Sequence, residues 1–464
     1  YAGVNLGGTI VNFTNAGDGI IYGENAGAIS SGNITNFVNQ GADAQITSDE
    51  VALLIRSDTL ATGSFINEGS MVGGDVGVKA RSSFYYGQTD FRSFINQNDI
   101  TATEANGVGV LVDGAEGVTV LGTLDNRGTI VGGSAGNGIE VTGEGNAGLE
   151  GKIINSGTVS GGAYAFYLAD DSALSEGIEN SGFLDGKVEL SDTSLTLVDD
   201  NARVSDVITG DTDSEVYIDG NFSTEATIDV GYVQINADAT LQLAHDIVNS
   251  GTTAFENKGT LSLAANEIVT ITGDYNQSDD AVLKTAIGNS DDVGRLQVSG
   301  AATLPTDTHL DVDVSSAREG ITQENLNNVL SATTLLAADN YTVSDNSLLF
   351  DFGAETDGST VDLFLQQVET GGLSSPSTTE VLKKEKNTRA KGAATVLESL
   401  FQEDPNSEIS LKFAAITAED ELSDAVSESL PFLTGDLNLA LKSSFSAASN
   451  TVKDRLVGDL GHGL

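Results

Sequence analysis

Residues 65–74 read Phe-Ile-Asn-Glu-Gly-Ser-Met-Val-Gly-Gly, and this phrase decides the fold because it returns along the chain. Close copies occupy 124–133 (Leu-Asp-Asn-Arg-Gly-Thr-Ile-Val-Gly-Gly) and 153–162 (Ile-Ile-Asn-Ser-Gly-Thr-Val-Ser-Gly-Gly). Weaker copies carry their asparagine at Asn15, Asn39, Asn96, Asn180 and Asn257. From Asn15 to Asn180, successive asparagines are 24, 28, 29, 30, 29 and 25 residues apart. A repeat of this length is typical of a solenoid.

Each repeat has two short β-branched runs around an Asn-x-Gly corner. Val, Ile, Thr and Phe favour strands because they pack well on a pleated, half-buried surface. Asn and Gly tolerate positive φ, so we expect them to turn the chain at little steric cost. The dense glycines disfavour the helix of a leucine-rich repeat, and no Gly-Gly-x-Gly-x-Asp run of a calcium-binding roll occurs. The sequence predicts an all-β fold, a right-handed parallel β-helix with a short C-terminal α-helical segment.

The recurrent asparagines have two interpretations, as ligands for a sugar or metal or as stacked structural residues. Because they recur once per repeat, the periodicity favours turn residues that stack on the next coil and form an amide ladder. The predicted repeat turns are Asn39, Asn67, Asn96, Asn126, Asn155, Asn180 and Asn257.

The composition excludes some classes of partner. The 464 residues include 21 Lys plus Arg and 68 Asp plus Glu, a formal charge of −47. Such a charge repels nucleic acid and anionic membranes, so we expect no nucleic-acid partner. The chain has no Cys and hence no disulfide framework, and no apolar run is long enough for a membrane-spanning helix. It starts at Tyr1 without a charged-then-apolar leader, so we expect a mature or trimmed fragment.

The pattern changes along the chain and predicts four segments. Residues 1–270 hold the β-helix repeats, and 271–370 form a C-terminal β-helix region with a different motif. Residues 371–388, rich in Gly, Ser and Thr, are predicted to be a linker. In 389–464 the apolar period becomes helical, with a later amphipathic stretch at 437–456. The first helical face is predicted to consist of Ala390, Ala393, Ala394, Leu397, Leu400 and Phe401.

The 271–370 region carries a family resemblance. Gly273-x-Tyr275-x-Gln277 is followed by Leu296-x-Val298-x-Gly300-x-Ala302-x-Leu304 and a strand pair. This order, together with the Asn-x-Gly repeats, resembles the passenger domain of type V bacterial autotransporters, in which such a region is the autochaperone segment. Residues 389–464 resemble the helical segment before the barrel. The resemblance implies a bacterial cell-surface or extracellular location, export across the outer membrane, and an outer-membrane β-barrel translocator in the full-length precursor.

Motifs for catalysis are absent from the sequence. The three histidines, His245, His309 and His462, form no metal-binding pair, and no Gly-x-Ser-x-Gly elbow occurs. Adjacent acidic residues could serve acid/base chemistry or bind calcium. In a chain with 68 acidic residues, however, such pairs are expected at turns without any function. We therefore expect no enzyme and no cofactor, with calcium as the one candidate ion. The acid pairs are Asp170–Asp171, Asp199–Asp200, Asp211–Asp213, Asp279–Asp280 and Asp291–Asp292.

One local cluster combines cations with aromatic rings, which can form a contact surface for a sugar or protein. We favour a loop that interrupts the coil, with the contact surface as the second interpretation. The cluster comprises Lys79, Arg81, Arg92, Phe84, Tyr85, Tyr86 and Phe91.

These patterns predict a structural cell-surface adhesin or a self-associating, filament-forming protein. Its expected partners are further copies of itself, or a protein or glycan on a neighbouring cell. Two alternatives stay open: a carbohydrate-active enzyme on the same β-helix, and a calcium-stabilised surface-layer protein. The C-terminal helices are either a linker ahead of the barrel or a bundle that caps the stack.

Overall fold

The computed structural model describes residues 1–56, 61–82, 88–114, 117–224, 226–244, 246–249, 254–289, 292–317, 320–336, 340–366 and 377–430. The fold is the predicted all-β parallel β-helix with a short α-helical segment. The first strands are β1 (Ala2–Leu6), β2 (Thr9–Ala16), β3 (Ile20–Gly23), β4 (Ala26–Ser30), β5 (Asn33–Gln40), β6 (Gln45–Ser48), β7 (Val51–Arg56), β8 (Ala61–Asn67), β9 (Ser70–Gly73), β10 (Val76–Ser82), β11 (Thr89–Asn96), β12 (Asp99–Ala102), β13 (Val108–Gly114) and β14 (Val120–Asn126).

The middle strands are shorter on average. They are β15 (Thr129–Val131), β16 (Asn137–Gly143), β17 (Ala147–Glu150), β18 (Ile153–Asn155), β19 (Thr158–Leu168), β20 (Ser172–Leu174), β21 (Ile178–Asn180), β22 (Phe183–Glu189), β23 (Ser194–Val198), β24 (Arg203–Val204), β25 (Ile208–Thr209), β26 (Glu215–Asp219), β27 (Asn221–Thr224), β28 (Ile228–Val230), β29 (Tyr232–Ile235), β30 (Thr240–Leu243) and β31 (Ile247–Asn249).

The last strands precede the helices. They are β32 (Phe255–Asn257), β33 (Thr260–Leu263), β34 (Ile268–Thr272), β35 (Tyr275–Gln277), β36 (Val282–Ala286), β37 (Arg295–Thr303), β38 (Asp307–Asp313), β39 (Leu330–Leu336), β40 (Asn340–Asp345), β41 (Asp351–Thr356) and β42 (Thr360–Gln366). A 3₁₀ turn spans Gln323–Leu326.

Two compact units divide the chain. The first comprises residues 1–241 and 246–255, and the second comprises 242–245 and 256–464. The motif-based boundary at 270 is a prediction drawn from composition, whereas this division follows the contacts within each unit.

In the first unit, each strand pairs in parallel with the strand one coil later. Strand β5 pairs with β2 and β8, and Phe37 lies in register with Phe13 and Phe65. The rings stack at centroid distances of 5.0 Å for Phe13–Phe37 and 5.4 Å for Phe37–Phe65. Later coils fill the same interior column with aliphatic side chains, starting at Leu124, so burial of one apolar face per strand forms a continuous core.

The tight corners differ from the sequence expectation. Positive φ occurs at Gly17 and Gly41 in the first two coils, but the prediction is wrong for the later Asn-x-Gly corners, whose Asn and Gly have no positive φ. There the glycine is required by the coil above or below it. A Cβ added at Gly157 would lie 2.0 Å from the carbonyl oxygen of Gly128, and one at Gly69 would lie 2.2 Å from that of Ala44. Close approach of two backbones, not a left-handed turn, therefore selects glycine at these positions.

In the second unit, β33, β36, β38 and β40 continue the parallel pairing. The unit ends differently, because β41 and β42 form an antiparallel hairpin and β42 also pairs antiparallel with β39. Here the coil pattern stops and the helices begin.

Four helices follow: α1 (Thr378–Lys384), α2 (Lys391–Glu403), α3 (Glu408–Ala414) and α4 (Glu419–Glu428). Helix α1 lies inside the segment predicted as linker, because Ser377 and Glu380 form a capping box that starts a helix there. Residues 371–376 and the stretch at 437–456 lie outside the described residues. No helix in the described part of the chain is long and apolar enough to cross a membrane.

The helices pack onto the terminal hairpin of their own unit. Phe350, next to β41, lies 5.2 Å from Phe401 of α2, which in turn lies 5.2 Å from Phe413 of α3. All three rings are at least 90 % buried. The backbone N–H of Leu348 donates to the carbonyl of Ile416 at 2.8 Å. In the second unit the helical segment thus covers apolar side chains at the end of the coils.

Candidate functional site

The asparagines of the repeat form one continuous ladder in the first unit. Each side-chain amide nitrogen donates to the Oδ1 of the asparagine one coil later, and from Asn39 onward these side chains are 0–1 % exposed. The donor–acceptor distances from Asn15 through Asn39, Asn67, Asn96, Asn126 and Asn155 to Asn180 are 2.8, 2.9, 2.9, 2.8, 2.7 and 2.7 Å. The amide ladder predicted from the periodicity is present over these seven residues.

The second amide hydrogen of each ladder asparagine also has a partner inside the stack. Asn67 donates to the carbonyl of Asp99 at 3.1 Å, and Asn126 donates to that of Thr158 at 3.1 Å. In both cases the acceptor lies three residues beyond the next asparagine, at the start of the next strand. Buried amides with internal partners hold the corner together and present no polar group to an external ligand.

Asn257 belongs to a different buried polar group. Its amide donates to the phenol oxygen of Tyr275 and to the carbonyl of Val282, each at 3.1 Å. The Tyr275 hydroxyl donates to Oε1 of Gln277 at 3.0 Å, and burial raises the pKa of this phenol. The Gly-x-Tyr-x-Gln motif of the second unit therefore directs its Tyr and Gln inward, where they replace the asparagine ladder.

The acid pairs at 170–171, 199–200 and 211–213 contribute carboxylates or backbone turns to the corners. Asp171 and Asp199 have φ values of 60° and 63°, and Oδ1 of Asp199 accepts from the N–H of Asn201 at 2.8 Å. Oδ1 of Asp200 accepts from the N–H of Asn221 at 3.0 Å. Asp291 lies outside the described residues. Within the described ranges, no three Asp, Glu or His side chains are grouped so that they could hold a metal ion.

Asp211 shows the electrostatic consequence of this role. Partial burial by itself would raise the pKa of its carboxyl, but hydrogen bonds outweigh burial and lower that pKa below the ordinary value. The donors are the hydroxyls of Ser214 at 2.7 Å and Ser191 at 3.4 Å and the backbone N–H groups of Asp192 and Asp213, both at 3.1 Å. A carboxylate with four donors is a turn cap, and its lowered pKa opposes a role as general acid.

The cation cluster is only partly assembled. Lys79 and Arg81 of β10 both approach Asp113 of β13, at 3.1 and 3.5 Å. Arg56 of β7 lies in register with Arg81, a neighbour that sequence spacing did not indicate because it comes from the preceding coil. Arg92 lies on β11 and has a φ of 52°. Phe91 is buried, and 84–86 lie outside the described residues.

Among the described residues, no histidine belongs to a group of side chains that could hold a metal ion. His309 lies on β38 in register with Val282 and Thr342, and its backbone carbonyl accepts from Gln277 at 3.1 Å. His245 and His462 lie outside the described part of the chain.

A surface that the sequence interpretation missed lies on β26 and β29. Tyr217 and Tyr232 are partly exposed on these neighbouring strands, with ring centroids 6.0 Å apart and planes at 72°. Burial and a 2.8 Å hydrogen bond from its hydroxyl to Glu215 raise the pKa of Tyr217 to about 12. Both strands alternate apolar and polar residues, so the sequence does indicate that the two tyrosines point outward. It does not indicate that they are neighbours, because they belong to no repeat and their adjacency follows only from the strand register.

Comparisons with known proteins leave the chain without a matching family. No protein-family model matches it, and neither does any curated protein or solved structure. The fold assignment therefore rests on strand register, and the autotransporter resemblance remains a prediction from its motifs.

Proposed function

We propose that this chain is a structural adhesin of the bacterial cell surface, built like the passenger of an autotransporter, that acts through the outer walls of its coils. The observation that carries this proposal is the in-register stacking of the first unit. Because each coil repeats the one before it, outward side chains form columns along a wall. One such column runs through Val38, Ile66 and Ile95, in register on β5, β8 and β11 and partly exposed.

This column carries no charged side chain over three coils, from Val38 to Ile95. In a chain of net charge −47, a row of β-branched aliphatic side chains on the solvent face keeps acidic residues out of one strip. Strips of this kind allow two molecules to approach without carboxylate repulsion, and many weak contacts along a wall add up through multivalency. The acidic remainder keeps unpaired molecules soluble.

Negative-stain electron microscopy of the 464-residue chain tests the proposal. We expect side-by-side association that Ile66→Asp abolishes, because a charge in the strip restores repulsion. Ile154→Asp is the matched control, since Ile154 is an isoleucine of the same outward column but lies beyond the strip, between Asp125 and Glu179. Imaging with calcium and with a chelator separates this proposal from a calcium-dependent layer. Separate molecules in both conditions, together with no adhesion of cells that display the chain, would contradict the proposed function.

A further inference from the structure

Six side chains form a compact polar and aromatic surface on one wall of the first unit. Glu215, Tyr217 and Asp219 project from β26, and their register partners Tyr232, Gln234 and Asn236 project from β29 and the residue after it. The intervening residues Val216, Ile218, Val233 and Ile235 are fully buried, so the six neighbours are fixed on the outer face by the strand alternation. We call this set the tyrosine surface.

A directed chain of hydrogen bonds orders the tyrosine surface. The Tyr232 hydroxyl donates to Oε1 of Gln234 at 2.8 Å, the amide of Gln234 donates to Asn236, and the amide of Asn236 donates to Asp219 at 3.1 Å. On the other side, the Tyr217 hydroxyl donates to Glu215 at 2.8 Å. Both chains of donors end on a carboxylate. A carboxylate accepts about four hydrogen bonds, so this surface has acceptor capacity and suits a ligand that supplies donors.

The residue types narrow the ligand further. The two tyrosine rings stand at 72° to each other, and each offers an apolar face of the sort on which the C–H face of a pyranose packs. Their rigid side chains lose little entropy on binding. The set contains two carboxylates and no cation, which disfavours acidic sugars. Successive coils recur about every 4.8 Å, a step comparable to the length of one sugar unit. The ligand that fits this surface therefore has hydroxyl donors, an apolar face and no negative charge. A neutral glycan chain has all three properties.

We infer that the tyrosine surface binds a neutral glycan, with Tyr217 and Tyr232 as the packing residues and Glu215 and Asp219 as acceptors for sugar hydroxyls. The inference rests on the proposed adhesive function and supplies its ligand class. Tyr217 lies in the same outward column as Val38, Ile66 and Ile95 but several coils later, beyond Asp125 and Glu179, so the two surfaces can be substituted independently.

Affinity gel electrophoresis of the full chain tests the inference, with galactomannan, glucan and arabinoxylan as neutral probes and polygalacturonate as the acidic probe. We expect at least one neutral polysaccharide to retard the chain and polygalacturonate not to do so. Tyr217→Ala and Tyr232→Ala are each expected to weaken retardation about tenfold, the scale of losing one aromatic anchor. Tyr217→Phe keeps the ring and is expected to retain most of the binding.

Tyr167→Ala is the matched control. Tyr167 is also partly exposed and has a ring partner, Tyr164 at 5.0 Å, but lies on β19 outside the tyrosine surface. Retardation by no neutral probe, or a loss of retardation in Tyr167→Ala equal to that in the two tyrosine variants, would overturn the inference. If the glycan inference fails but cells that display the wild-type chain still clump, the adhesive proposal stands. If cells that display the wild-type chain do not clump, both the adhesive proposal and the glycan inference are overturned.

Discussion

The coils from Asn67 to Asn180 and the three coils after them build the same interior column in opposite ways. Asn180 lies in register with Leu197, which lies in register with Ile218 and then Ile235, all fully buried. In the first group, a buried asparagine amide donates from inside the stack to the backbone carbonyl groups of the corner. In the second, the corners are satisfied from outside by exposed carboxylates such as Asp199 and Asp200, which accept from backbone N–H groups.

This difference explains why the column can change from amide to aliphatic without a break in the stack. Where an acidic side chain caps the corner, no polar group is needed inside, and the interior position is free to be apolar. It also gives part of the acidic composition a structural role, since Asp at a corner is both a turn residue and a hydrogen-bond acceptor.

The largest effect is expected from Ile218→Asn, which places the ladder residue in an aliphatic coil. The substitution removes buried apolar surface and introduces an amide between Leu197 and Ile235, neither of which has a side chain that can hydrogen-bond to it. We expect a loss of about 4 kcal/mol in the free energy of unfolding. Urea unfolding followed by far-UV circular dichroism measures it; a loss below that of Asn126→Leu would contradict the account of the column.

The reverse exchange, Asn126→Leu, is expected to cost about 3 kcal/mol. It removes the donor to Oδ1 of Asn155 and to the carbonyl of Thr158, and leaves these buried acceptors with fewer partners. Asn106→Leu, at an exposed asparagine outside the ladder, is the control. Equal stability of Asn126→Leu and wild type would show that the ladder contributes nothing to the fold.

Gly157→Ala tests the close approach of the tight corners. Its Cβ would lie 2.0 Å from the carbonyl of Gly128, so the coil must shift, and we expect a loss of about 2 kcal/mol. Gly392→Ala, in helix α2 with open space around the added carbon, is expected to be neutral or stabilising by up to about 1 kcal/mol. A neutral Gly157→Ala would favour a loose corner that any small residue could form.

The smallest effect concerns pH. Because the folded pKa of Asp211 lies below its ordinary value of 3.8, its contribution is present above that value and is lost as the pH falls through the folded pKa. Asp211→Asn is therefore expected to lower the unfolding midpoint at pH 7, and the difference from wild type is expected to shrink in acid. Asp345 supplies the opposite sign, because burial raises its pKa and its contribution is lost as the pH rises through the folded value. Parallel midpoint–pH curves for wild type and Asp211→Asn would contradict the capping role.

The sequence predicted those features that repeat. The asparagine period located the ladder because identical corners must stack, and the helical period located α2. Ala394, Leu397 and Phe401 of this helix are buried as expected, whereas Ala393 and Leu400, predicted on the same face, are only half-buried. It did not predict the partner of Asn257, since Tyr275 follows 18 residues later without a repeat. It misassigned the role of Gly157, because the neighbouring backbone that excludes a side chain comes from another coil.

The surfaces proposed for binding were harder to predict for a related reason. Outward columns such as Val38–Ile66–Ile95 arise only after register is known, and period-two alternation says which side chains point outward but not which of them become neighbours. Tyr217 and Tyr232 meet because Glu215 pairs with Tyr232, a one-coil register that their own sequence does not specify.

The most direct test of the central claim, that buried amides build the stack while the outer walls act, is the clumping of cells that display the chain with either Asn126→Ala or Ile66→Asp. At a temperature where far-UV circular dichroism shows both variants folded, we predict that Asn126→Ala cells clump like wild type and Ile66→Asp cells do not. Clumping lost in Asn126→Ala but kept in Ile66→Asp would contradict the account, because it would assign the activity to the ladder itself.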